Sequence, residues 1–118
     1  MPKKDIQEAR KYAREKYYVI RENPTFWFKR YRSNARNHGF TFGITLKQFT
    51  AFWRKSCFYC GDKIERIGLD RIDSSLGYLK SNIVPCCYVC NWMKRHLSVN
   101  VFLNHCKKII KNQPPTNS

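Results

Sequence analysis

Acidic side chains are scarce in this chain: eight Asp and Glu stand against 23 Lys and Arg in 118 residues, and none follows Asp73. Solubility does not require so one-sided a charge as +15, so a surface charged only to stay in solution is the weaker reading. A polyanionic partner is the stronger one. The basic residues are interleaved with aromatics in both halves instead of gathering in one tail, which argues against an anionic membrane surface. Long apolar runs are also missing. None approaches the roughly 20 residues that a membrane-spanning helix needs, so no membrane partner is expected. Met1-Pro2-Lys3-Lys4-Asp5 leads into a charged stretch without the apolar segment of a signal peptide, and an intracellular, cytoplasmic location is expected in place of secretion. There is no internal repeat and no low-complexity tract, and the length suits one domain, residues 1–118, with a modest core.

Small cores usually need a staple, and six cysteines are present. In a reducing compartment, paired CxxC motifs are metal ligands more often than disulfides. Cys57 with Cys60 and Cys87 with Cys90 have the spacing of a tetrahedral Zn²⁺ site with four thiolates. Gly61 permits the sharp backbone of the first knuckle. Cys86 adjoins Cys87 and leaves some ambiguity, which the x2 spacing to Cys90 decides in favour of Cys87. Cys106 falls on the apolar face of the last helix and reads as a small packing residue.

Residues 1–56 read as a basic helical part. A helix is expected over residues 4–22, with Ile6, Ala13, Tyr17 and Ile20 on one side and Arg10, Arg14 and Arg21 on another, ended by Pro24. Thr25 then caps a helix over 26–38 closed by Gly39, in which Trp27, Phe28, Tyr31 and Ala35 form the apolar stripe. Lys29, Arg32 and Arg36 line its basic side, placed for phosphate contact. Thr45 caps a third helix with Leu46, Phe49, Phe52 and Trp53 as core. Beyond the first cysteine pair the pattern predicts a β-hairpin with strands over 64–72 and 79–84 joined through Ser74-Ser75-Leu76-Gly77. A short helix from Val89 to His96 follows, and Ser98 caps a last helix, residues 99–111, whose apolar face holds Val99, Phe102, Leu103, Cys106, Ile109 and Ile110. Residues 112–118 read as a flexible tail.

The stretch from Cys57 to about Ser98 resembles the HNH endonucleases, also called ββα-metal or His-Me finger nucleases, in the branch with a four-cysteine zinc. The resemblance rests on Asp70-Arg71, Asn82 and Asn91, with Gly77-Tyr78 and Met93-Lys94 in support. It covers about 40 residues and implies an α+β fold, a small zinc-stapled ββα-metal core over 57–98 with N-terminal helices and a C-terminal helix. It implies that Asp70 and Asn91 hold one Mg²⁺ or Mn²⁺ against the scissile phosphate of double-stranded DNA, and that Asn82 pins the hairpin loop. A carboxylate and an amide carbonyl are hard oxygen ligands suited to such ions. Lys94 and Arg95 would flank the site, with Arg10, Arg14, Lys29, Arg32 and Arg36 extending the footprint. A phage or another mobile element is the setting the resemblance suggests.

One departure matters. The family's general base is a His after the Asp, and here that residue is Arg71. A guanidinium stays protonated and cannot activate water, although it can bind phosphate bidentately. Tyr59 in the first knuckle is one substitute, resembling restriction enzymes of this kind whose knuckle tyrosine is proposed to attack directly. Aromatic packing on the knuckle is the plainer reading of that ring. His38 is a second candidate. His96, five residues beyond Asn91, is expected to point away on the helix, and His105 to be a surface residue. A non-catalytic zinc module that kept the scaffold and lost cleavage is the rival from another class.

Overall fold

The computed structural model describes residues 3–115. It begins with helix α1, Lys3–Ile20, which buries no residue. Of the expected stripe only Ile6 and Ile20 are partly covered, while Ala13 and Tyr17 face solvent. The helix therefore adds charge and reach more than core, and the molecule measures 59 × 42 × 24 Å.

Helix α2, Pro24–Asn37, opens on the proline expected to end α1. The cap is Asn23, whose side chain accepts from the Thr25 N–H at 2.9 Å, so Thr25 lies inside the helix. Proline suits the first helical position because its missing N–H would have no intrahelical acceptor there. Helix α3, Leu46–Thr50, is held by a capping box between Thr45 and Gln48. Because α3 stops after one turn and a bit, the 3.6-residue period is not sustained: Phe49 is fully buried, Phe52 and Trp53 are half-buried, and Leu46 at the first position is exposed.

The long strands expected from the sequence are short. Strand β1, Leu69–Arg71, pairs antiparallel with β2, Ile83–Pro85, placing Asp70 opposite Val84. A 3-10 turn over Lys80–Asn82 takes the place of the start of the second strand. Just before β1 the two segments come very close, since a Cβ on Gly68 would collide with the Cys86 carbonyl oxygen. Helix α4, Tyr88–Lys94, and helix α5, Val99–Asn112, complete the order. On α5 only Phe102 is buried, with Val99 and Cys106 half-buried and Leu103, Ile109 and Ile110 exposed. Asn112 is helical, and Thr116–Ser118 of the expected tail lie outside the described residues. No helix among the described residues is long and apolar enough to cross a membrane.

The core joins the N-terminal part to the hairpin. Ile44, Phe49, Leu69 and Ile83 are buried together, with Trp27, Phe28 and Tyr31 of α2 packed against them. Phe28 and Tyr31 meet Phe49 edge-on at ring separations of 5.5 and 5.6 Å, a geometry favoured by the ring quadrupoles. The Tyr31 hydroxyl accepts from the Leu69 N–H at 3.3 Å, and burial pushes its phenol up to about 12. Thus α2 sets where β1 begins.

The hairpin loop is pinned by Asn82. Its carboxamide accepts from the Asp73 N–H at 2.9 Å and donates to the Asp73 and Gly77 carbonyls at 3.0 and 2.9 Å. Asn82 is only 5% exposed, so little water reaches its carboxamide. Asn82→Ala is expected to lower stability by about 2–4 kcal/mol, because three partners lose a buried bond and each orphaned group costs roughly 1–3 kcal/mol. Urea unfolding of the zinc-loaded protein measures this, and a loss under about 1 kcal/mol would contradict the pinning role.

Candidate active site and metal cluster

The two CxxC knuckles meet. In the first, Gly61 has a φ of +80°, a conformation open to glycine, and its N–H donates to the Cys57 carbonyl at 3.0 Å. In the second, Cys87 is the N-cap of α4 and its sulfur accepts from the Cys90 N–H at 3.3 Å. The Phe58 N–H donates to the Pro85 carbonyl at 2.8 Å and ties the first knuckle to the end of β2. As a result the sulfurs of Cys57, Cys60, Cys87 and Cys90 all lie within 4.8 Å of one another. Four thiolates about 2.3 Å from a tetrahedral ion stand about 3.8 Å apart, and Cys60 Sγ is 3.7 Å from Cys87 Sγ. The cluster fits a zinc site.

Backbone donors favour a thiolate here. Burial opposes ionisation of Cys57, yet the N–H groups of Cys60, Cys87 and Tyr59 bring its thiol down to about 6. Cys86, 1% exposed, is outside the cluster and turns its sulfur toward the Cys87 carbonyl at 3.4 Å. Burial, with Cys57 nearby, pushes its thiol up. That resolves the ambiguity between neighbouring cysteines.

Asp70 sits at the centre of β1, 5% exposed, and turns toward α4. Its Oδ2 accepts from the Tyr59 hydroxyl at 2.6 Å. The Lys94 ammonium lies 3.1 Å from Oδ2 and 3.3 Å from Oδ1, and donates also to the Arg71 carbonyl at 3.4 Å. Lys94 has no exposed surface. It was expected to flank the site as a DNA contact; instead it points inward, because three residues on from Asn91 it shares that residue's helix face. Asn91 donates from Nδ2 to the Leu69 carbonyl at 3.5 Å, which leaves its carbonyl oxygen for another partner.

A cavity of about 430 Å³ opens over this pair, lined among others by Asp70, Arg71, Asn91, Trp92, Arg95 and His96. Arg71 is held in place: its guanidinium lies 3.8 Å over the Phe40 ring and donates through Nη1 to the Ser74 and Leu76 carbonyls at 2.7 and 2.9 Å. Arg95 stacks 5.2 Å from Trp92, and Tyr88 and Trp92 are 81% and 61% exposed at the rim. Unlike the expectation, His96 faces this cavity. Helix α4 stops at Lys94 and Arg95 takes a φ of +51°, so the chain turns back before Ser98 starts α5. The helix stop was legible in Leu97-Ser98, since an N-cap at 98 requires a break before it.

Tyr59 is half-buried beside the four-cysteine cluster, edge-on to Phe102 at 5.5 Å. Burial, then the hydrogen bond to Asp70, push its phenol upward, opposite to the shift a neighbouring cation would give. His38 is exposed, with Nδ1 2.7 Å from the Asn34 carbonyl, and neither His38 nor Tyr59 lines the cavity. His105 is exposed on α5. Of the remaining basic residues, Arg10, Arg14, Lys29, Arg36 and Arg95 are exposed, and Arg32 is half-buried over Phe28 at 5.3 Å.

No protein-family model matches the chain. Over 84 residues, 70% of its length, it is 36% identical to uncharacterized protein R423 of Acanthamoeba polyphaga mimivirus, of which it spans 16%. Among solved structures it is similar to the rare-cutting HNH restriction endonuclease PacI, with a TM-score of 0.61 and 24% identity over 75% of this chain and 78% of that one. With five helices, a two-stranded sheet and a four-cysteine cluster that fits zinc, the described chain is a small α+β protein with an HNH-like fold.

Proposed function

We propose that the chain is an HNH-type endonuclease that hydrolyses phosphodiester bonds in double-stranded DNA, with Zn²⁺ held by Cys57, Cys60, Cys87 and Cys90 and one Mg²⁺ or Mn²⁺ held by Asp70 and Asn91. The observation that carries this reading is the convergence of Asp70, Arg71 and Asn91 on one cavity, on the scaffold of an HNH-like fold. The donor chemistry fits a hard divalent ion, which would supply charge stabilisation at the scissile phosphate.

This chain's own groups do the rest. Arg71, anchored through Nη1 to the hairpin loop, presents a guanidinium to the phosphate and lowers the energy of developing charge. In this reading the Tyr59 hydroxyl, 2.6 Å from Asp70 Oδ2, fills the role left open by Arg71. As it attacks phosphorus its proton passes to Asp70, the bond from phosphorus to the leaving sugar oxygen breaks and that oxygen takes a proton from water. A second water then hydrolyses the phosphotyrosyl ester and frees Tyr59. His96 is the second reading, favoured by its place on the cavity wall and by the capacity of an imidazole to act as general base. Exposed Arg10, Arg14, Lys29, Arg36 and Arg95, with Arg32, hold the DNA through its phosphates, so affinity falls steeply with salt.

The test is nicking of supercoiled plasmid by the zinc-loaded protein with Mg²⁺ or Mn²⁺. Wild type should cut, and Asn91→Ala should lose at least about a hundredfold. Tyr59→Phe should abolish cutting with zinc content and DNA affinity unchanged. Cutting retained in Tyr59→Phe but lost in His96→Ala would move the role to His96. No nicking by wild type with either ion leaves the non-catalytic zinc module as the function.

A further inference from the structure

A lysine with no exposed surface is rare, and Lys94 is buried against the one carboxylate read here as a metal ligand. Charged side chains are almost never fully buried without a partner, because the ion loses its hydration. Lys94 has two partners: the Asp70 carboxylate, reached at 3.1 and 3.3 Å, and the Arg71 carbonyl at 3.4 Å. Tyr59 occupies Oδ2 as well. Both carboxylate oxygens are therefore already engaged by hydrogen-bond donors, one of them a full positive charge.

We propose that Lys94 is a resident cation of the metal site: its ammonium holds Asp70 until a divalent ion takes Oδ1, so the charge on Lys94 sets how tightly the site takes metal. The inference rests on the reading of Asp70 and Asn91 as ligands and adds a residue to it. Physically, a divalent ion arriving at Asp70 meets a unit positive charge within a few ångströms, in surroundings far less polar than water, where such repulsion is strong. It must also displace a hydrogen bond that keeps the lysine satisfied. Oδ1 is the oxygen to be given up, because it has the longer contact with Lys94 and no bond to Tyr59. Lys94 can retreat onto Oδ2 and the Arg71 carbonyl without leaving its pocket.

Removing the charge should tighten metal binding. The experiment is a titration of the zinc-loaded, DNA-free protein with Mn²⁺, followed by electron paramagnetic resonance of the free ion. Lys94→Gln keeps a donor and removes the charge; Lys94→Met removes both and serves if the Gln variant does not fold. At least a tenfold lower Kd than wild type is expected, and the tighter binding should vanish when Asn91→Ala is added. An unchanged Kd, with binding still lost in Asn91→Ala, overturns the role of Lys94 while leaving the metal site standing. Binding to none of the proteins overturns the site itself, and the inference with it. Because the readout is occupancy in the absence of DNA, it is independent of whether the protein cleaves.

Discussion

Stripping zinc is expected to unfold the region from Cys57 to Cys90. Among the described residues the apolar cluster around the four sulfurs has Cys57, Ile64, Cys86 and Cys90 as its buried members, with Tyr59 and Cys87 packed against them, too little apolar surface to hold two knuckles together. The sheet they anchor is only three residues per strand, and a two-stranded ribbon is marginal in water on its own. Structural zinc in small motifs contributes roughly 10–16 kcal/mol of apparent binding free energy at neutral pH, which exceeds or matches the whole stability of a typical domain, about 5–15 kcal/mol. Chelation followed by circular dichroism and amide exchange should show loss of protection in β1, β2 and α4, and Cys90→Ser should behave the same way. Part of the helical signal should persist, since α1 buries nothing and does not depend on the cluster. An unchanged spectrum and unfolding midpoint after the metal has demonstrably left would refute the structural role. Reductant alone should have no effect, because the described cysteines form no disulfide.

The sequence carried most of the scaffold and less of the site. Cysteine spacing located the metal cluster because two CxxC turns leave few ways to bring four sulfurs together. Helix starts at Thr45 and Ser98 were legible because a side-chain oxygen before an apolar run has one strong local use. Pro24 was not: a proline both stops a preceding helix and opens a following one, and only the cap at Asn23 shows which helix it belongs to. Strand lengths failed for a related reason, since residues 64–68 satisfy part of their backbone by hydrogen bonds with Arg54, Lys55 and Cys86, and Lys80–Asn82 form a 3-10 turn, neither of which alternation reveals. At the site, the motif put Asp70, Arg71 and Asn91 together, and the three line one cavity. Lys94 was read as a surface cation because charge in a basic chain suggests solvent, although its spacing from Asn91 placed it on the same helix face. What decides its burial is the carboxylate 24 residues away, a partner only the fold brings near.

Asp70→Ala is expected to abolish cleavage, by about a thousandfold or more, and to destabilise the fold at the same time. The two effects have different causes and must be separated. Taking away the carboxylate leaves Lys94, with no exposed surface, facing only the Arg71 carbonyl, and breaking one side of a buried ion pair typically costs about 3–5 kcal/mol. A loss of activity in Asp70→Ala alone would therefore be open to a trivial explanation. The double variant Asp70→Asn with Lys94→Met resolves it. Replacing both members of a buried pair by neutral groups of similar volume is often close to neutral in stability, and the new carboxamide can still accept from Tyr59. Chemical denaturation should place the double variant within about 1.5 kcal/mol of wild type, well above Asp70→Ala, while plasmid nicking remains absent. Wild-type cutting by the double variant would remove Asp70 from the catalytic machinery. A cost below about 1 kcal/mol for Asp70→Ala would show that the charge on Lys94 has another partner or reaches water. Stability restored without activity is the result that assigns Asp70 both roles, one through Lys94 and the other through the phosphate.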